Sequence, residues 1–186
     1  MFNAKYFATT PKVMSPEITA FCQHLEPSRE PEWLETDEWP FAKVGQCYFN
    51  VEAFIAENGG EVQYGWIIWE LPGIYLTAEH HAVAKKGNGL IDGTPQINGE
   101  RKTIFLPSDQ VWSGKPILNK YQAIRDTPLA DWVCELQRRN SVLYFRGLFG
   151  SPEHRRNDNE CCLLIDKFYE IKKQRERQRR AKQKRR

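Results

Sequence analysis

Apolar positions along the chain change their spacing several times, and each change marks an element. Ile18, Phe21, Cys22 and Leu25 recur at three and four residues behind Ser15-Pro16-Glu17. That is one face of a helix, opened by a capping serine and by a proline whose missing N–H costs nothing at the first helical position. From Glu26 to Pro40 the pattern lapses into acidic residues, Pro27, Pro31, Pro40 and two tryptophans, Trp33 and Trp39, which predicts an extended surface segment pinned by its aromatics. Helical spacing returns from Cys47 to about Glu57, with Val51, Phe54 and Ile55 on one face and Asn58-Gly59-Gly60 as the stop.

Strand alternation follows in Val62, Tyr64, Trp66 and Ile68. Pro72-Gly73 marks a turn, and a second strand runs from Ile74 to about Lys85. Gly87-Asn88-Gly89 turns into a short strand, Leu90-Ile91-Asp92, which ends at Gly93 and Pro95. Asn98-Gly99 is a hairpin-type turn before a strand at Thr103-Ile104-Phe105-Leu106. One helix followed by an antiparallel meander predicts an α+β fold. Beyond it, Thr127-Pro128 opens a helix with Leu129, Trp132, Val133 and Leu136 inward, and Val142 to Leu148 suits a strand or a buried linker. A last helix is expected from near Asn159, because Cys161, Leu164, Ile165, Phe168 and Ile171 share a face. No internal repeat is visible. The expected organisation is one α+β domain over residues 1–166, its core at about 44–107, and a basic C-terminal helix or tail over 167–186.

Composition narrows the class. With 186 residues, 40% hydrophobic and 27% charged, the chain suits one globular domain and not a disordered segment. The run Trp66-Ile67-Ile68-Trp69 is followed at once by Glu70, and no stretch approaches the roughly 20 apolar residues of a membrane span. The start lacks the basic-then-apolar pattern of a secretory signal. Five scattered cysteines, Cys22, Cys47, Cys134, Cys161 and Cys162, do not make a disulfide framework. A reducing, cytoplasmic setting is the expectation.

The net charge of +3 hides an asymmetry. The last 20 residues hold eleven Lys/Arg against Glu170 and Glu176, a net +9, which leaves the other 166 residues at −6. Lys172, Lys173, Arg175, Arg177, Arg179, Arg180, Lys182, Lys184, Arg185 and Arg186 are therefore candidates for nonspecific contact with nucleic acid or another polyanion. The scarcity of aromatics after Tyr169 argues against a stacking platform for single strands.

Three features of the best-patterned segment carry possible chemistry. Gly45-Gln46-Cys47 puts a cysteine where a loop becomes a helix, and unsatisfied N–H groups there favour a thiolate and can hold an oxyanion. Glu79-His80-His81 puts histidine on a strand, and Asp92 stands on the strand after it. An imidazole can take the thiol proton and return it to a leaving group, while a carboxylate steers the ring. Alternation points His80 and His81 to opposite faces without saying which face meets the helix.

In order and spacing, Cys47, His81-Ala82-Val83 and Leu90-Ile91-Asp92-Gly93-Thr94-Pro95 resemble the core of transglutaminase-like proteins of the papain-like cysteine-peptidase superfamily. The resemblance covers about residues 44–95. It implies Cys47 as nucleophile, His81 as base and Asp92 as its orienter. The tryptophan usual shortly after the histidine is replaced by Ala84 and Lys85. More narrowly, Tyr64-Gly65-Trp66, Trp69-Glu70-Leu71-Pro72-Gly73 and Ala78 to Val83 are similar to uncharacterised prokaryotic proteins, some of which carry a zinc-binding module. Arg156-Asn157-Asp158 before Cys161-Cys162 resembles the start of that module, but its earlier cysteines and glycines are missing, so no zinc and no cofactor is expected.

Gln46, Glu79 and Glu70 are candidates for supporting roles, and the other four cysteines are expected in the core. The implied activity is acyl transfer or hydrolysis of an amide, peptide or glutamine carboxamide through a thioester on Cys47, with a peptide or protein as substrate. The alternative is a noncatalytic protein- or nucleic-acid-binding domain with a polycationic tail. A metal site of His80, His81 and a cysteine is disfavoured, since adjacent strand residues diverge and no Cys-x-x-Cys spacing exists.

Overall fold

Pro72-Gly73 folds the chain back on itself, with Gly73 at φ +76°, a conformation open to glycine at little cost. The two flanking strands, β2 (Glu61–Leu71) and β3 (Tyr75–Lys86), then pair antiparallel along their length, from Leu71↔Tyr75 to Glu61↔Lys85. In the computed structural model, which describes residues 4–125 and 127–183, this hairpin is the centre of an α+β fold. Around it lie α1 (Pro16–Leu25), β1 (Glu32–Glu35), α2 (Cys47–Asn58), β4 (Gly89–Ile91), β5 (Lys102–Pro107), β6 (Lys120–Ala123), α3 (Pro128–Phe145) and α4 (Pro152–Gln183), after one 3-10 turn at Ala4–Tyr6.

The sheet runs β1-β5-β2-β3-β4, with β6 added to β3. A bridge between Thr36 and Asp92 brings the β1 end back to the β4 end, so the sheet is nearly closed. Its inner face holds a core to which each of the five strands contributes: Leu34, Phe105, Ile67, Val83 and Leu90, joined by Trp69. Gly65 belongs to this face because a Cβ there would meet the Phe105 ring and the Leu106 carbonyl at 2.4 Å.

Helices α1 and α2 cover the outer face, and α3 and α4 close the turn end of the β2–β3 hairpin. Ile18, Phe21 and Cys22 of α1 pack on Trp66, Ile68, Leu76, Ala78, Ile104 and Leu106, and Ser15 Oγ caps α1 by accepting from Ile18 N at 3.4 Å. Val51 of α2 packs on Ala82 and Ala84, whose small side chains let the helix approach closely. Ala130, Val133, Cys134 and Leu136 of α3, with Cys161 and Ile165 of α4, cover Leu71, Ile74 and Tyr75. Fully burying side chains of this size contributes about 1.5–3 kcal/mol each.

The sequence pattern and the structure part company in several places. The acidic segment 26–40 contains strand β1, which pairs with β5. Its alternation is masked because only Leu34 of its four residues faces the core. Lys120–Ala123 forms β6, which no pattern announced. Val142 is helical, within an α3 that reaches Phe145, so the segment Val142–Leu148 is neither strand nor buried linker. No proline or glycine interrupts that helix before Gly147. α4 starts at Pro152, not near Asn159. Its first two turns face α3 with polar groups: Asn157 Nδ2 donates to Asn140 Oδ1 at 3.0 Å and Asp158 Oδ1 accepts from Asn140 Nδ2 at 2.6 Å, while His154 Nδ1 lies 3.1 Å from Asp158 Oδ2 within α4. Trp132, expected inward, is partly exposed and donates to Glu160 Oε1 at 2.6 Å. Among the described residues no helix is long and apolar enough to cross a membrane.

Candidate active site at a gap in the sheet

The far edge of β3 is only partly occupied. β6 pairs with residues 75–78 and β4 with residues 84–86, which leaves 79–83 without a strand partner on that edge. The N-terminus of α2 stands at this gap. Tyr48 Oη lies 2.9 Å from His80 Nδ1 and 3.3 Å from the His80 carbonyl, occupying that edge where a neighbouring strand is missing.

The approach of α2 is set by its own sequence. Gly45, at φ +71°, turns the chain into Gln46, the N-cap residue. Asn50, buried one turn into the helix, reaches back over that turn. Its Nδ2 donates to the Lys43 carbonyl at 2.9 Å and to Thr94 Oγ1 at 3.2 Å, and its Oδ1 accepts from Lys43 N at 3.0 Å. One amide thus fixes the loop before Cys47 to the loop after Asp92.

Alternation left open which histidine meets the cysteine, and the structure separates them. His80 lies on the outer face, where its Nε2 donates to the Gln110 carbonyl at 2.9 Å. A carbonyl only accepts, so Nδ1 is the acceptor for Tyr48. Burial pushes the His80 pKa below its usual value, partly opposed by the Gln110 bond. With Tyr64 and Trp66 against its ring, His80 is held as a neutral structural group.

His81 points inward. Its Nε2 lies 3.2 Å from Asp92 Oδ2, without the geometry of a full hydrogen bond, and Cys47 is near enough to act on the charge of the ring. Burial alone would depress its pKa, but the Asp92 carboxylate and the Cys47 sulfur outweigh it and hold His81 well above the ordinary imidazole value. Although α2 packs outside the sheet, the gap lets its first residue reach a ring inside.

Asp92 is fully buried. Its Oδ1 accepts from Thr94 N at 2.9 Å, the Asx turn expected of Asp-x-Thr, and its carbonyl accepts from Asp37 N at 2.9 Å. Next to it, Gly93 must be glycine, because a Cβ would fall 2.0 Å from the Trp39 ring. That ring stacks on Phe54 of α2 with centroids 4.1 Å apart, so the carboxylate and the helix are braced by one aromatic pair.

Cys47, His81 and Asp92 therefore come together, all buried, with the sulfur-bearing residue 8% exposed. The supporting candidates do not join them. Gln46 is exposed and its side chain makes no capping bond. Glu79 Oε2 accepts from Trp69 Nε1 at 3.1 Å, and Glu70 pairs through its backbone with Thr9. Asn50, Tyr48 and Thr94 were missed by sequence reasoning. A polar residue at the helical position between Cys47 and Val51 was the available signal for Asn50.

Burial pushes the thiols of Cys22 and Cys161 up to about 12 and that of Cys134 to about 11, and half-buried Cys162 is also raised. Among the described residues no three His, Cys, Asp or Glu side chains are placed to share a metal ion. A groove of about 690 Å³ between α1, β6 and α3, lined in part by Phe21, Leu118, Tyr121 and Val142, contains none of the three residues. Of the basic tail, Lys172 to Lys182 are exposed on α4, while Lys184, Arg185 and Arg186 lie outside the described residues. Comparison with protein families, curated proteins and solved structures finds no match to this chain.

Proposed function

We propose that the chain is a cysteine-dependent acyl-transfer or hydrolytic enzyme with a transglutaminase-like, papain-like core. The observation that carries this reading is the buried His81 ring, 3.2 Å from Asp92 Oδ2 and near enough to Cys47 for the two to interact, because an imidazole steered by a carboxylate beside a thiol is the arrangement that activates sulfur. Cys47 gives its proton to His81 and attacks the carbonyl carbon of an amide, peptide or glutamine carboxamide. The tetrahedral oxyanion is held by N–H groups of the first turn of α2, since the amides of Cys47, Tyr48 and Phe49 donate to no backbone carbonyl among the described residues. His81 returns the proton to the departing amine, leaving a thioester on Cys47. Water or an amine, deprotonated by His81, then attacks the thioester and releases the thiolate.

The test uses an activated acyl ester with site mapping by mass spectrometry. An acyl adduct on Cys47, absent in Cys47→Ala and strongly slowed in His81→Ala, is the expected result. Acylation confined to surface lysines would reject the reading. A second reading, a noncatalytic protein- or nucleic-acid-binding domain, is favoured by the burial of Cys47, and the same adduct decides between the two.

A further inference from the structure

The stripe of α4 that faces the body changes character at one point. Cys161, Ile165 and Phe168 follow each other at spacings of four and three and pack against Leu71, Ile74 and Tyr75. The same spacing continues as Lys172, Arg175, Arg179 and Lys182. From Lys172 to Gln183 every residue is exposed, yet the helix persists to Gln183, roughly 18 Å of free rod at 1.5 Å per residue.

We propose that this rod is a binding arm for double-stranded DNA, laid in the major groove between the phosphate walls. Seven cations and one glutamate occupy residues 172–183. At about 100° per residue the cations spread over more than half of the circumference, so both walls of a groove are in reach. A groove about 12 Å wide admits an α-helix. Other occupants fit worse. A second copy zipped along the stripe would set cation against cation at the seam positions, where apolar residues are needed. Lying in a membrane interface requires an apolar face, and Ala181 is the only apolar residue of the segment; the weaker attraction of an anionic surface to Lys/Arg is what the vesicle comparison below measures. Single strands call for stacking aromatics, and none stands beyond Tyr169. The contacts are to phosphates, so the arm anchors without reading sequence.

The experiment is fluorescence anisotropy of the full chain with a labelled DNA duplex of about two turns, beside oligo-dT, phosphatidylserine vesicles and polyglutamate. The expected result is preference for the duplex, with an affinity falling roughly 100-fold between about 50 and 200 mM salt, the slope of about four phosphate contacts. A variant carrying Arg175→Gln, Arg177→Gln, Arg179→Gln and Arg180→Gln touches no packed residue. It should lose most of the binding and flatten the slope of log affinity against log salt by about 2, the share of about four contacts that four of the seven cations carry. Unchanged duplex binding by this variant, or equal or tighter binding of wild type to any of the other three partners, overturns the proposal. Neither result bears on Cys47.

Discussion

Asp92 Oδ2 stands 3.2 Å from Nε2 of His81, and both side chains are sealed from solvent inside a nearly closed sheet. A buried charge pair of this kind holds only while both partners are present, and removing one costs about 3–5 kcal/mol. Asp92→Asn keeps the size and removes the charge. The His81 ring, followed by heteronuclear NMR through a pH titration, should then lose its proton at lower pH than in wild type. An unchanged titration would show that the carboxylate does not govern the ring.

The same pair makes stability depend on pH with a definite sign. His81 is raised above its unfolded value, so its contribution is complete below about pH 6.5 and fades as pH climbs through the folded value. Denaturant unfolding of wild type and His81→Gln should therefore differ most near pH 6 and converge as the solution becomes alkaline. His80, depressed by burial, acts in the opposite sense and weakens the fold as pH falls, but it is common to both proteins and cancels. A gap between the two that widens with pH would contradict the assignment.

The β2–β3 hairpin and the helix at Cys47 were legible because Pro72-Gly73, the alternation in Val62–Ile68 and the Asn58-Gly59-Gly60 stop are local signals, whereas the expected meander breaks at β5, which leaves β4 and pairs with β2 and β1. The order of Cys47, His81 and Asp92 was legible for the same reason. What was not local stayed hidden. β1 shows one buried residue in four, and its existence depends on β5, far along the chain. The start of α4 is written in Asn157, a polar residue satisfied by Asn140 across the helix pair, and in His154, which meets Asp158 one turn on in the same helix. The choice between His80 and His81 rests on a missing stretch of strand along β3, which no periodicity reports.

Asn50 joins both loops that flank the site. Asn50→Ala leaves the Lys43 amide, the Lys43 carbonyl and Thr94 Oγ1 without this partner, at a cost of about 1–3 kcal/mol. Hydrogen exchange should rise at residues 43–47 and at Gly93 and Thr94 together, because one side chain ties them. Exchange rising at only one of the two segments would show that the amide does not couple them.

The account stands on a sulfur that His81 makes reactive while four others are inert. The direct measurement is the rate of iodoacetamide modification at each of the five cysteines near pH 7, resolved by mass spectrometry in wild type and His81→Ala. Cys47 should react first despite its burial and slow about tenfold or more in the variant, since an unassisted thiol is only a few per cent thiolate at that pH. Cys47 reacting no faster than Cys162, or reacting equally in both proteins, would contradict the account.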